Sequence, residues 1–189
     1  MIKIAIAGNI AAGKSQVELY LAKSYPVIDT DLISHKLLDV YKNQIIEEFK
    51  NFNILENNKI NRKLLGNLVF SNSKLKLKLE NILHPLIKTE LYKFFEENKN
   101  AKYCFVSIPL IFEAHFEDLF DKIIFIYAKD NLRLERLMKR NNLSLNDALA
   151  RLNSQQSQDE KIKKSDYIIK NESDIQNLYA QIDKIIKAL

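Results

Sequence analysis

Gly8-Asn9-Ile10-Ala11-Ala12-Gly13-Lys14-Ser15 fits the P-loop pattern, Gly-x-x-x-x-Gly-Lys-Ser/Thr. The apolar residues 2–7 precede this octapeptide and are typical of a buried parallel strand. Residues 15–23 follow it and have helical character. A strand, a loop and a helix in this order are the context in which the pattern binds nucleotide phosphates. The sequence therefore predicts a nucleotide-binding loop between a first strand and a first helix.

The expected chemistry of this loop follows from its glycines and its lysine. Gly8 and Gly13 lack a Cβ, so the backbone can approach a ligand closely, and Asn9 tolerates left-handed backbone better than most residues. The loop N–H groups then converge on an anion at the positive end of a helix dipole. Lys14 is expected to reach the β- and γ-phosphates, and the Ser15 hydroxyl to bind Mg²⁺. The full set of expected nucleotide-binding residues here is Gly8, Asn9, Ile10, Ala11, Ala12, Gly13, Lys14, Ser15 and Gln16.

Composition narrows the class of protein. Hydrophobic residues make up 47% of the 189 residues, which is enough for a core, and three glycines and three prolines argue against disorder. The single cysteine, Cys104, excludes a disulfide framework and a cysteine metal site. The apolar runs are too short to span a membrane, and no signal peptide is visible, so we expect a cytoplasmic protein without membrane partners. The net charge of +5 is spread over many lysines, so we expect no nucleic-acid partner.

Two acidic residues follow a short second strand at Val27-Ile28. Ligands of open α/β sheets bind outside the carboxyl ends of the strands, so Asp29 and Asp31 are expected to face the transferred phosphate. Asp29 is a candidate to hold Mg²⁺ through water. The alternative is that Asp29 or Asp31 caps the next helix.

The remaining pattern predicts one α/β unit with a helical insertion. Residues 41–101 have helical periodicity, with one helix ending at His84-Pro85 and another beginning there. Further strands are predicted at 103–108, 123–127 and 167–169, and strands that alternate with helices imply a parallel sheet. The last helix is predicted to begin at Ser173, with Gln176 completing a capping box.

Four of the five arginines fall between residues 133 and 151. Arg133, Arg136 and Arg140 share one helix face, and Arg151 lies on a second helix that Ser144 and Asp147 open with a capping box. Two short helices that carry arginine towards the P-loop are typical of a lid. The alternative is a solvated, charged helix pair.

With these residues assembled, the chain resembles the dephospho-CoA kinase family nearly end to end. The stretches that carry the resemblance are Gly8 to Ser15, residues 27–35, Arg62-Lys63-Leu64-Leu65 with Val69-Phe70, Leu83-His84-Pro85-Leu86-Ile87, Ile108-Pro109-Leu110-Ile111-Phe112-Glu113, residues 136–140, Ala150-Arg151-Leu152 with Gln155, and residues 166–171. The P-loop alone is generic, whereas the Asp-x-Asp, His-Pro and Pro-Leu-x-Phe-Glu stretches in this order are far more specific.

The resemblance implies a three-layer α/β/α P-loop kinase fold with a five-stranded parallel sheet. The single unit of residues 1–189 would contain a nucleotide-binding core (1–30, 102–129 and 165–189), a helical acceptor region (31–101) and a lid (130–164). The implied reaction is the transfer of the ATP γ-phosphate to the ribose 3′-hydroxyl of dephospho-CoA, the last step of coenzyme A biosynthesis. We expect the protein to act as a monomer.

The resemblance also implies residue roles. By this resemblance, Asp31 would be the catalytic base and would contact the acceptor. Lys14 and Ser15 would bind phosphate and Mg²⁺, and Arg140 would act from the lid. Further contacts are implied for ATP from Arg136 and Asn171, the latter near the adenine, and for dephospho-CoA from Arg62, His84 and Pro109.

The chain departs from the family pattern at several positions. Asn9 stands where the family has glycine, Ala11 and Ala12 stand where it has small residues, and Ala7 replaces a common threonine. A glutamine is usual where Arg133 stands, so Arg133 is expected at the surface.

Two other functions share parts of these motifs. A nucleoside or nucleoside-monophosphate kinase has the same core and lid, but the likeness of residues 62–87 favours dephospho-CoA as acceptor. A P-loop regulator or a nucleic-acid-binding ATPase would agree with the basic pI of about 9.1. The chain, however, has neither an Asn/Thr-Lys-x-Asp stretch for guanine nor a concentrated basic face with aromatics.

Overall fold

The computed structural model describes residues 1–189, and its helices and strands follow the predicted alternation. In chain order they are β1 (Ile2–Gly8), α1 (Lys14–Leu21), β2 (Val27–Asp29), α2 (Thr30–Val40), α3 (Lys42–Glu48), β3 (Leu55–Glu56), β4 (Lys59–Ile60), α4 (Arg62–Ser71), α5 (Ser73–Glu97), β5 (Tyr103–Ser107), a 3₁₀ turn (Glu117–Leu119), β6 (Lys122–Tyr127), α6 (Asp130–Asn141), α7 (Leu145–Asn153), α8 (Gln158–Lys163), β7 (Tyr167–Lys170) and α9 (Ile175–Ala188). The chain forms two compact units: the P-loop unit, residues 1–28 and 98–189, and the helical unit, residues 29–97.

A five-stranded parallel sheet with the order β2-β5-β1-β6-β7 forms the centre of the P-loop unit. The central strand β1 pairs with β5, where Ile4 lies opposite Phe105, and with β6, where Ile6 lies opposite Ile124. These side chains are almost fully buried, as expected for a parallel sheet that helices cover on both faces. The predicted three-layer α/β fold with five parallel strands is confirmed.

The helical unit departs from the sequence prediction at Pro85. Helix α5 runs unbroken from Ser73 to Glu97 with Pro85 inside it, so the predicted break is wrong. Proline in a helix costs about 3 kcal/mol. The four side chains that α5 buries, Leu83, Ile87, Leu91 and Phe95, continue one stripe past the proline. Since each contributes about 1.5–3 kcal/mol, their burial outweighs the lost hydrogen bond.

One local feature was not predicted from the sequence, and one prediction is corrected. Asn57 and Asn58 form the tip of a β3–β4 hairpin with φ of 48° and 58°. Two successive positive φ values are the mark of a type I′ turn, which asparagine tolerates. Helix α9 begins at Ile175, because the Asp174 carboxylate, rather than Ser173, accepts a hydrogen bond from the Asn177 amide at 2.8 Å. No helix combines the length and the apolar character that crossing a membrane requires.

Candidate nucleotide-binding and kinase site

The P-loop connects β1 to α1, and two of its residues have left-handed backbone. Gly13 has a φ of 96°, and a Cβ at this position would lie 2.0 Å from the Asn171 side-chain nitrogen. The Asn171 amide donates to the Ala12 carbonyl at 2.8 Å. Gly13 is therefore required both by its backbone and by the closeness of Asn171. The other left-handed residue is Ala11, with a φ of 61°, and not Asn9 as the sequence suggested.

The front of the loop is held by the segment between α7 and α8. The Ile10 amide donates to Gln155 Oε1 at 2.7 Å, and the Asn9 side chain, which is buried, donates to the Gln156 carbonyl at 2.9 Å. Gly8 is fixed on the other side, because a Cβ there would lie 3.0 Å from the Ile126 carbonyl oxygen. The loop is therefore shaped by contacts as well as by its own sequence.

Arg133 is a buried part of this arrangement, so the prediction that it lies at the surface is wrong. Its side chain is 3% exposed and donates through Nε to the Ile10 carbonyl at 3.0 Å. Its Nη1 pairs with Asp130 Oδ1 at 2.7 Å. The arginine lies at the start of α6, one turn after Asp130, and holds the P-loop through the Ile10 carbonyl. The Asp-x-x-Arg spacing at the start of the helix was the available signal.

The other two arginines of α6 differ from Arg133 and from each other. Arg136 donates through Nη2 to the Asn171 carbonyl at 3.0 Å, while its Nη1 is buried without a hydrogen-bond partner. This Nη1 lies 4.0 Å from where a Gly13 Cβ would be. Arg140 is exposed and donates to the Asn141 side chain at 2.9 Å. Of the three arginines on this face, Arg133 alone pairs with a carboxylate, that of Asp130, whereas Arg136 donates to a backbone carbonyl.

Lys14 lies in an ion pair at the amino end of α1. Its Nζ lies 2.7 Å from Glu18 Oε1 and also contacts the Ser107 hydroxyl. The Ser107 hydroxyl donates to the same Glu18 oxygen at 2.6 Å. The Lys14 side chain is 14% exposed. Neither Glu18 nor Ser107 was predicted from the sequence as a site residue. Ser107 is 93 residues from Lys14 in the chain, so no local pattern connects the two.

The groups at the start of α1 suit a nucleotide and its metal ion. Ser15 and Gln16 are exposed on the first turn of α1, at the positive end of the helix dipole. No group of three or more His, Cys, Asp or Glu side chains gathers as a metal site. Mg²⁺ in kinases, however, takes one or two protein oxygens and completes its shell with phosphate and water. The Ser15 hydroxyl therefore fits one ligand position of Mg²⁺, and the unpartnered Arg136 Nη1 fits a phosphate.

In the helical unit, the two acidic residues occupy different positions. Asp29 is the N-cap of α2, and its Oδ1 accepts a hydrogen bond from the Asp31 amide at 2.9 Å. The alternative that Asp29 caps the helix is therefore confirmed for one of its carboxylate oxygens, Oδ1. Asp31 lies in the first turn of α2 and is exposed.

The predicted acceptor residues have distinct environments. Arg62 is exposed and pairs with Asp39 at 2.8 Å beside an open cleft of about 800 Å³. His84 is half-buried in α5, and burial lowers the pKa of its imidazole, with Glu80 acting in the opposite direction. His84 is therefore neutral at pH 7. Pro109 is half-buried in the turn after β5 in the P-loop unit.

A P-loop after the central strand of a parallel sheet, with arginines beside it, is typical of the P-loop enzymes that act on nucleoside triphosphates. The family model for dephospho-CoA kinase matches residues 2–177. The chain therefore belongs to the dephospho-CoA kinase family, and the family membership and kinase function predicted from the sequence are confirmed. It is an enzyme of the kinase class, and the family to which it belongs uses ATP as the phosphate donor.

Similar proteins agree with this assignment. The dephospho-CoA kinase of Bacillus cereus is 36% identical over 98% of this chain and 96% of its own length. The dephospho-CoA kinase of Helicobacter pylori is also 36% identical, with the same coverage. Among solved structures, dephospho-CoA kinase from Campylobacter jejuni is 38% identical with a TM-score of 0.74, covering 98% of this chain and 95% of that one. Shikimate kinase from Acinetobacter baumannii, at 15% identity and a TM-score of 0.57, covers 100% and 94% and shares the fold.

Proposed function

We propose that this chain transfers the γ-phosphate of ATP to the ribose 3′-hydroxyl of dephospho-CoA with Asp31, Lys14 and Arg140 as catalytic residues. The observation that carries the nucleotide side is the buried, unpartnered Arg136 Nη1 beside Gly13. A buried donor without a partner costs about 1–3 kcal/mol, so a phosphate oxygen there would be stabilised.

The nucleotide is held by the residues of the P-loop unit. The loop amides of residues 8–16 and Lys14 surround the β- and γ-phosphates, and Arg136 donates its second nitrogen to them. Arg140 is exposed at the end of α6, from which it approaches the transferred phosphoryl group when the lid, residues 130–164, closes. Asn171 lies between the loop and Arg136 and contacts the adenosine end. Ser15 and Asp29 would hold Mg²⁺, which supplies positive charge against the phosphate oxygens.

The acceptor is held by the helical unit and by the turn at Pro109. Asp31 orients the 3′-hydroxyl and accepts its proton as the oxygen attacks phosphorus. The cleft beside Arg62 suits an anionic acceptor, since it is lined by Lys42, Lys59, Arg62 and Lys63 as well as Asp39 and Glu56. The neutral His84 serves as a hydrogen-bonding group rather than a cation. The enzyme acts as a cytoplasmic monomer on this small molecule, without a nucleic-acid or membrane partner.

A coupled ADP-release assay tests the acceptor. We expect turnover with dephospho-CoA well above that with adenosine, AMP or pantetheine phosphate, and a product with a 3′-phosphate by ³¹P NMR. Higher kcat/KM with adenosine or AMP would instead support a nucleoside or nucleoside-monophosphate kinase.

Replacement of Asp31 tests the base. Asp31→Asn keeps the size of the side chain but removes the proton acceptor, so kcat should fall by about 10²–10⁴ with ATP binding little changed. Asp29→Asn is the matched variant and should shift the Mg²⁺ dependence instead. If Asp31→Asn kept more than about a tenth of kcat, the role of base would move to Asp29.

A further inference from the structure

Lys14, Glu18 and Ser107 form a cluster whose charge is unexpected for a nucleotide site. The cation that should meet the phosphates is already paired with the Glu18 carboxylate at 2.7 Å, and both side chains are at most 16% exposed. A carboxylate beside a phosphate site repels the ligand, and this repulsion is strong where water is largely excluded. The pair therefore opposes the binding of a bare triphosphate.

The place of this carboxylate in the fold suggests a reason for it. P-loop enzymes commonly hold Mg²⁺ with the loop serine or threonine and an aspartate at the end of a neighbouring strand. Here one of the two neighbours of β1 is β5, which ends at Ser107, opposite Ile6. Ser107 offers only a hydroxyl, but it donates to Glu18 Oε1 at 2.6 Å. A carboxylate does lie at this strand end, and it is contributed by helix α1.

We propose that Glu18, held by Ser107, is a positioning residue that makes the binding of ATP depend on Mg²⁺. This inference rests on the proposed role of ATP as phosphate donor. Without a divalent cation, Glu18 stays in its ion pair with Lys14 and repels the phosphates. With Mg²⁺ beside Ser15, the Glu18 carboxylate has a second cationic neighbour, and Lys14 can turn its three N–H donors towards the β- and γ-phosphates.

The chain contains a matched pair that serves as a control. Lys76 and Glu80 have the same order and spacing on α5 but lie 3.7 Å apart and are 51% and 32% exposed. Such exposed pairs contribute little to stability, and this one belongs to the helical unit rather than to the P-loop. Glu80→Gln removes one carboxylate from a helix, as Glu18→Gln does, without changing the P-loop.

Isothermal titration of ATP without acceptor, in excess Mg²⁺ and in EDTA, tests the proposal. The quantity of interest is the dissociation constant in EDTA divided by that in Mg²⁺. We expect Glu18→Gln to lower this ratio by about fivefold or more, mainly because ATP binds more tightly in EDTA. Ser107→Ala should lower it less, and Glu80→Gln should leave it at the wild-type value.

Several results would overturn the proposal. An unchanged ratio in Glu18→Gln, or equal weakening in Mg²⁺ and EDTA, would mean that Glu18 only places Lys14. If wild-type protein bound ATP in neither condition, the proposed function itself would fail, which separates the two hypotheses. The double variant Glu18→Gln with Ser107→Asp returns a carboxylate from the strand, so it should restore the ratio. If it binds ATP like Glu18→Gln alone, the proposal is wrong, and this variant also serves if the single change impairs folding.

Discussion

The two units of this enzyme differ in the ion pairs that they bury, although both also carry exposed pairs, such as Lys122–Asp166 in the P-loop unit. In the P-loop unit, three ion pairs have a member that is 14% exposed or less: Lys14–Glu18, Arg133–Asp130 and Lys161–Glu113. In the helical unit, the pairs Lys50–Glu47, Arg62–Asp39 and Lys78–Glu48 have both members at least 42% exposed.

This difference suggests two roles for ion pairs: buried pairs hold the site in place, and exposed pairs bind ligand. Buried pairs are expensive to desolvate, so they persist where a fixed geometry is needed, such as around a P-loop. Exposed pairs contribute roughly 0–1 kcal/mol and are readily exchanged for a ligand. We infer that the P-loop unit is shaped in advance for nucleotide, whereas the helical unit offers charges that an anionic acceptor can take over.

The largest effect is expected from Lys14→Ala. The charge that develops on the transferred phosphoryl group loses a fixed cation, and kcat should fall by about 10²–10³. Steady-state kinetics measure this, and a thermal unfolding curve verifies that the variant is folded. Lys50→Ala, an exposed lysine of the helical unit, is the control and should retain full activity. Near-normal turnover of Lys14→Ala would contradict the P-loop assignment.

Local signals in the sequence were sufficient for the sheet and the P-loop. Strands such as residues 2–7 and 123–127 are apolar runs between helical stretches, and the loop motif lies within eight residues. The unbroken α5 was missed because the packing of Leu83 and Ile87 outweighs the local preference of Pro85. Tertiary burial overrides propensity in this way throughout proteins.

The supports of the site were harder to predict. Gln155 binds the Ile10 amide across 145 residues of chain, and Arg133 reaches the Ile10 carbonyl across 123. Contacts over such separations depend on the fold and leave no periodic pattern. The family resemblance even pointed the wrong way for Arg133, because a glutamine is usual there. The catalytic roles of Asp31 and Arg140 stay predictions.

Arg133→Met tests the buried side of the comparison at the level of stability. The methionine keeps much of the volume but leaves the Ile10 carbonyl without its donor, which should lower the free energy of unfolding by about 1–3 kcal/mol. Denaturant unfolding measures this change. Arg151→Met, at an exposed site on α7, is the control. Equal stabilities of the two variants would mean that Arg133 is not a support of the loop.

A smaller effect, in the stabilising direction, is expected from Ala11→Gly. The left-handed backbone at Ala11 costs a residue with a Cβ about 1–2 kcal/mol, and glycine removes this strain. Glycine also makes the unfolded chain more flexible, which offsets part of this gain in stability. The net gain in the free energy of unfolding should be about 1 kcal/mol or less. Thermal unfolding checks the sign, and a lower melting temperature would show that the Ala11 methyl group contributes more by packing than it costs in strain.

The assignment of the nucleotide to the P-loop unit and of the acceptor to the helical unit is tested most directly by the KM values of Arg62→Ala and Arg136→Ala. Both variants lose one guanidinium, the first from the exposed cleft of the helical unit and the second from the buried position beside Gly13. We expect Arg62→Ala to raise KM for dephospho-CoA about tenfold, the equivalent of about 1.4 kcal/mol, with KM for ATP unchanged. Arg136→Ala should raise KM for ATP and leave that for dephospho-CoA. A reversed pattern, or equal changes in both constants for both variants, would contradict the assignment of nucleotide to one unit and acceptor to the other.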